Sequence, residues 1–141
     1  MLSISPTSDL IDTLIDSAIE ESSPIIMQVA EVHFKYLNFE EIGPAITHAA
    51  DKVGIPICVH LDHGQSLQTV IRAIRAGFTS VMFDGSRFPL EENIAKTKEV
   101  VKVAHGVGVS VEGEIGAVRR RGSWRTGCYC PCSPKRVVYQ S

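Results

Sequence analysis

Pro56-Ile57-Cys58-Val59-His60-Leu61-Asp62-His63-Gly64 is a near-continuous apolar run that ends in a knot of ionisable side chains. A run of this build suits a strand buried on both faces, with its polar residues gathered at the carboxyl end. Three other segments share the pattern. Pro24-Ile25-Ile26-Met27-Gln28-Val29-Ala30 lies upstream, and Thr79-Ser80-Val81-Met82-Phe83-Asp84 and Val109-Ser110-Val111-Glu112-Gly113-Glu114-Ile115 lie downstream.

Between these runs the hydrophobic period changes to that of a helix. In 8–21, Leu10, Ile11, Leu14, Ile15, Ala18 and Ile19 line one face, with Ser8 placed to cap. In 66–76, Leu67, Val70, Ile71 and Ile74 do the same, with Ser66 as cap and Gly77 as stop. In 91–105, Ile94, Ala95, Val101 and Ala104 mark the inner face, Glu91 and Glu92 suit the positive end of the helix dipole, and Gly106 ends it. Residues 39–53 read as a helix in spite of Pro44. Strand starts near 24, 56, 79 and 109, each separated from the next by a helix, predict four parallel βα units. That order fits an open doubly wound sheet or half of a (β/α)₈ barrel, whose full length is about 250 residues. No GxGxxG follows the first strand, so dinucleotide binding has no support.

The totals are those of an ordinary globular domain: 141 residues, 44% hydrophobic, 21% charged, formal net charge -2. This balance argues against nucleic acid or a membrane surface as partner. The amino terminus has no basic region ahead of an apolar run, and no stretch approaches the roughly 18 apolar residues of a membrane span. The cytoplasm is the expected compartment. The totals hide a break, however. All 16 acidic residues lie in 1–116 beside 8 Lys and Arg, whereas 117–141 hold the other 6 basic residues, no acid, and three of the four cysteines. The chain is therefore divided into a βα region, 1–116, and a basic, Cys-rich tail, 117–141, expected to be irregular or disordered and read as translation in a shifted frame. Cys128-Tyr129-Cys130-Pro131-Cys132 lacks the paired spacing of a structural zinc site.

In parallel α/β folds, chemistry gathers at the carboxyl ends of the strands. Those ends carry His60, Asp62 and His63, then Asp84, then Glu112 and Glu114. Buried charges need partners or a metal, and imidazole among carboxylates is a plausible zinc environment. A metal there polarises a carbonyl while a neighbouring carboxylate moves a proton, which fits a metal-assisted lyase, isomerase or hydrolase. The two glutamates are read as pointing to opposite faces of the sheet, with Glu114 assigned to the centre and Glu112 to a supporting or helix-facing place. His60 is read as a hydrogen-bonded barrel residue.

His60-Leu61-Asp62-His63-Gly64, Ala76-Gly77-Phe78-Thr79-Ser80-Val81-Met82-Phe83-Asp84-Gly85-Ser86, Phe88-Pro89-Leu90-Glu91-Glu92-Asn93 and Val109-Ser110-Val111-Glu112-Gly113-Glu114-Ile115-Gly116 follow one another in an order and spacing that resemble the class II ketose-bisphosphate aldolases. Fructose- and tagatose-bisphosphate aldolases are the best-known members. The resemblance covers about residues 8–116 and implies a partial TIM (β/α)₈ barrel followed by an irregular tail. It implies Zn²⁺-dependent cleavage of a ketose 1,6-bisphosphate to dihydroxyacetone phosphate and an aldehyde, and a family that is commonly homo-oligomeric. By the same resemblance His63 is a ligand of the catalytic zinc. Asp84 and Glu114 are carboxylates beside it that serve a second or monovalent cation. Asp62 exchanges a proton with the substrate oxygen, and Gln28 contacts the phosphorylated sugar. Arg87 departs from the family pattern and is read as surface variation. The family's first strand is missing or vestigial before Ser8, and its remaining zinc histidines have no counterpart after Gly116. The rival expectation is an inactive aldolase remnant that at most binds metal weakly or associates with an intact relative.

Overall fold

The computed structural model describes residues 2–3, 8–36, 38–115 and 135–139, with 2–3, 8–10, 39 and 135–139 described through their backbone alone. Within them the order is β1 (Leu2–Ser3), α1 (Ser8–Glu20), β2 (Ile25–Ala30), a 3₁₀ turn (Glu31–Lys35), α2 (Phe39–Asp51), β3 (Ile57–Gly64), α3 (Leu67–Arg75), β4 (Ser80–Phe83), α4 (Leu90–His105), β5 (Ser110–Ile115) and β6 (Lys135–Tyr139). The four expected helices and the four expected strands are all present, within a residue or two of their predicted ends.

Strand order decides between the two architectures the spacing allows. The sheet runs β1-β2-β3-β4-β5-β6, and each of the first five strands pairs in parallel with its neighbour in sequence. A doubly wound sheet reverses its order at a switch point. This one never does, and its helices share one side. Ile11 and Ile15 of α1, Ile46 of α2, Val70 and Ala73 of α3, and Val100 and Ala104 of α4 form a single core with Met27, Val29, Val59, Leu61, Val81, Phe83 and Val111 of the strands. That is the winding of a (β/α) barrel segment.

Two strands go beyond the expectation. Leu2–Ser3 pairs with Met27 and Gln28, a vestige too short to show a period of its own. Lys135–Tyr139 corrects the irregular tail over those five residues, because it pairs antiparallel with β5. The physical reason is available in both partners: Val137, Val138 and Tyr139 are strong strand formers, and β5 would otherwise present an edge of unpaired backbone groups. The rest of 117–141, including the cysteine cluster, lies outside the described residues.

Local chemistry explains the connections. Ser66 caps α3, its hydroxyl accepting from the Thr69 N–H at 3.1 Å. At the other end Gly77 takes φ +91° while Phe78 N–H reaches back to the Ala73 carbonyl, which closes the helix and drops Phe78 into the core. Pro44 is carried inside α2. There the Thr47 hydroxyl donates to the Gly43 carbonyl at 3.0 Å, and Gly43 lies so close to Ala76 that a side chain would collide with it.

A candidate active site at the carboxyl rim

The face of the sheet turned away from the helices is polar in two layers. In the deeper layer, Gln28 and His60 are register partners and both are buried. His60 Nδ1 lies 2.8 Å from Ser80 Oγ, and its Nε2 lies 3.7 Å from Glu112 Oε2. His60 is thus the hydrogen-bonded residue the sequence suggests. Glu112 requires a correction. It stands two residues from Glu114, and a pleated strand sends both to one face. Glu112 points inward to His60, and neither glutamate faces the helices; Val111 and Gly113 do, Gly113 lying against Thr97 of α4.

The upper layer is the rim. His63 Nδ1 is 3.1 Å from Asp84 Oδ2 and 3.5 Å from Glu114 Oε2, so side chains from the ends of β3, β4 and β5 converge. One ligand atom from each of the three lies within 4.8 Å of the others. Asp62 Oδ1 sits 4.0 Å from His63 Nε2 and is buried without a hydrogen-bond partner. Glu114 is almost fully buried, Asp84 is mostly buried, and the imidazole is 44% exposed. Gln28 does not join this cluster. It lies beside His60, one layer below.

Several local features make the rim. Strand β3 shifts register between Leu61 and Gly64, and His63 adopts φ +51°. A left-handed non-glycine residue costs about 1 kcal/mol or more, and such outliers concentrate at functional positions. The turn brings the imidazole over the strand end, between β4 and β5. Gly64 follows because a side chain there would strike the Met82 carbonyl and Leu61, while its own carbonyl accepts from Asp84 N–H at 2.8 Å. Burial raises the Asp84 pKa. The Ser86 hydroxyl at 2.6 Å, the Ser86 N–H at 3.0 Å and the His63 ring outweigh that, so the group is held below its ordinary value of 3.8. Asn93 of α4 donates to the Glu114 carbonyl at 2.8 Å and accepts from Thr97. Gly85 leaves the space Asn93 fills.

The sequence reading missed Ser86, Asn93 and Ser80 as site-builders. Asp84-Gly85-Ser86 had the local signal of an Asp oxygen returning to a nearby N–H. A polar Asn93 in the first turns of an otherwise amphipathic helix was the other available sign. Arg87 lies on the surface, as expected, but its guanidinium donates to Gln65 and stacks over the Phe88 ring at 4.7 Å, on the outer wall of the rim.

Three carboxylates crowd one imidazole, an arrangement that repels itself unless a cation or protons neutralise it. The 3.1 and 3.5 Å spacings suit a small cation, because donors bonded at about 2.0–2.1 Å to a tetrahedral ion stand about 3.4 Å apart. His63, Asp84 and Glu114 therefore fit a divalent metal. A mainly apolar groove of about 250 Å³ between α4 and β5 is lined by Leu90, Ile94, Val101 and Ile115 with Lys98, Lys102 and Glu114, and brings no second carboxylate or imidazole together with Glu114.

Known proteins are similar to this chain over about three quarters of its length. A probable fructose-bisphosphate aldolase of Bacillus subtilis is 44% identical over 108 residues, covering 74% of this chain and 38% of that protein. A 6-phospho-5-dehydro-2-deoxy-D-gluconate aldolase of Shouchella clausii is also 44% identical over 108 residues, again 74% of this chain and 37% of its own. Among solved structures, the YdjI aldolase of Escherichia coli K12 superposes with a TM-score of 0.74 at 34% identity, over 78% of this chain and 42% of that one. The chain thus spans well under half the length of the relatives it matches. The profile of the family described as fructose-bisphosphate aldolase class-II matches residues 5–129, most of the chain, and the chain belongs to that family.

Proposed function

We propose that this chain carries the metal- and proton-handling half of an aldolase site that cleaves a phosphorylated ketose between two carbons, with Zn²⁺ as the cation. One observation carries the proposal: ligand atoms of His63, Asp84 and Glu114 from three successive strands lie within 4.8 Å of one another, with Asp62, one of whose oxygens is buried without a hydrogen-bond partner, beside His63. A bound divalent cation supplies Lewis acidity that polarises a substrate carbonyl and stabilises the charge that develops on it. His63 would hold that cation through a ring nitrogen, and Asp84 and Glu114 would supply compensating charge and positions for a second or monovalent cation. Asp62, whose buried oxygen has no hydrogen-bond partner, takes the proton from the substrate hydroxyl as the carbon–carbon bond opens, and returns it in condensation. Gln28, in the layer beneath, belongs to the floor on which the sugar rests.

Fructose 1,6-bisphosphate is the substrate we favour, because similar proteins of Bacillus subtilis, Helicobacter pylori and Streptococcus pyogenes are named fructose-bisphosphate aldolase, the first as a probable one. Tagatose bisphosphate and related keto-sugar phosphates share the chemistry. A relative named for a different keto-sugar phosphate is as similar as one named for fructose bisphosphate, so overall identity does not choose between them. A second reading has the 141-residue chain binding a cation without turnover. It is favoured by the single histidine in the cation cluster among the described residues.

A graft tests the main reading. Residues 8–115 replace the matching segment of the Bacillus subtilis relative, and cleavage of fructose 1,6-bisphosphate is followed with and without EDTA. EDTA-sensitive cleavage that falls by about 10²-fold or more on Asp62→Ala supports the assignment. A folded, metal-loaded graft without cleavage, or one indifferent to Asp62→Ala, contradicts it. The isolated chain is expected to be inactive, and EDTA-sensitive cleavage by it would remove the second reading.

A further inference from the structure

The left-handed backbone at His63 is flanked on both sides by polar ties that no part of the catalytic reading uses. Glu31, just after β2, accepts the Gln65 N–H on one carboxylate oxygen at 2.6 Å and the Thr69 hydroxyl on the other at 3.0 Å. Arg87, just after β4, donates to the Gln65 carbonyl at 2.8 Å and to its side-chain oxygen at 3.1 Å. Gln65 lies two residues beyond His63, and Gly64 between them is held through its carbonyl by Asp84 N–H. The two peptides on either side of the Gln65 Cα, beginning one residue beyond His63, are therefore gripped from the loop after β2 and from the loop after β4. Arg87 itself lies over the Phe88 ring, which packs against the core and also carries Lys96 at 4.8 Å.

The geometry points to Glu31 and Arg87 as positioning residues: together, through the backbone of Gln65, they hold His63 in its left-handed conformation and aim its imidazole at Asp84 and Glu114. Neither touches the rim cluster. They act by making the strained turn the only one compatible with both neighbouring loops, since a residue kept at positive φ persists where its surroundings over-determine it. Both bonds to the backbone are charge-assisted, the stronger kind of hydrogen bond. Charge-assisted ties are suited to holding a short exposed loop that packing alone leaves free. The consequence for cation binding rests on the metal reading above; the consequence for His63 does not.

Two measurements on the 141-residue chain separate these. In the metal-free protein, the His63 amide–Hα coupling and Cα shift read its backbone conformation. They should report positive φ in the wild type, shift toward an average in Arg87→Ala and in Glu31→Ala, and stay unchanged in Gln65→Ala, which keeps both backbone bonds. Arg72→Ala, which removes an exposed ion pair with Glu40 elsewhere on the helices, serves as control and should also leave His63 unchanged. A zinc titration should then show a Kd raised about tenfold in Arg87→Ala and Glu31→Ala, the size expected when a ligand loses its orienting partner, and unchanged in Gln65→Ala. A merely structural role would lower the melting temperature without moving the His63 coupling. Retained positive φ in both charge-removing variants would overturn the inference. A wild type with left-handed His63 that binds no zinc would leave the clamp standing and remove the metal reading instead.

Discussion

The two faces of this one sheet are built by opposite rules. Toward the helices stand Val59, Leu61, Val81 and Val111, each about 1% exposed or less and packed among Ile46, Val70 and Val100. Toward the other side, from the same strands, stand Gln28, His60, Asp62, Ser80, Glu112 and Glu114, with His60 joined to Ser80 and Glu112, and Asp62 and Glu114 set beside His63. The first face is held by area removed from water and is indifferent to which apolar side chain supplies it, within the limits of volume. The second is held by directional contacts, in which moving one group strands another. Stability is concentrated on one side of the strands and chemistry on the other.

Substitutions on the two faces should therefore fail differently. Leu61→Ala, at a fully buried position among the helices, should cost about 2–5 kcal/mol in denaturant unfolding while leaving cation affinity of the folded fraction intact. Gly85→Ala pushes into Asn93, which holds the Glu114 carbonyl; a loss of about 2–3 kcal/mol together with weaker cation binding is expected, because that contact joins packing to the site. Ser80→Ala removes a partner from the buried His60 ring and should cost about 1–2 kcal/mol in thermal unfolding with little effect on the rim. If it abolished cation binding, the two polar layers would be one unit rather than two.

The smallest effect is a matter of pH. The Asp84 carboxyl is held below 3.8, so its ionised form favours the folded chain. That contribution is complete above the unfolded pKa and is lost as pH falls through the lower folded value. Asp84→Asn should thus be less stable than the wild type by about 1 kcal/mol or less at neutral pH, with the gap closing in acid. Melting curves from pH 7 to pH 2 read the difference; a gap that widens in acid would mean the Ser86 and His63 contacts do not favour the carboxylate.

The helix-facing side was legible in the sequence almost residue by residue, because apolar periodicity is a local signal: the runs at 24–30, 56–62, 79–84 and 109–115 all became strands. The rim residues Asp62, His63, Asp84 and Glu114 were legible for a related reason, since they fall where parallel strands end. Strand order was legible only through the family resemblance, because intervals between strands do not encode which neighbours pair. Glu112 was misplaced by a parity slip, although two residues along a strand return to the same face. The left turn at His63 left no local pattern in Asp62-His63-Gly64, because the contacts around it come from residues distant in sequence: Asp84 on the Gly64 carbonyl, and Glu31 and Arg87 on Gln65. Leu2–Ser3 is too short for any pattern, and Lys135–Tyr139 becomes a strand only beside the open edge of β5.

The account turns on whether His63, Asp84 and Glu114 hold one cation. Calorimetric titration of the purified, metal-stripped chain with Zn²⁺, followed by EDTA, tests this most directly. The expected result is one reversible equivalent, lost in His63→Ala while the melting temperature stays within a few degrees. Zinc retained in His63→Ala and lost when Cys128, Cys130 and Cys132 become serine would contradict it, as would no binding at all.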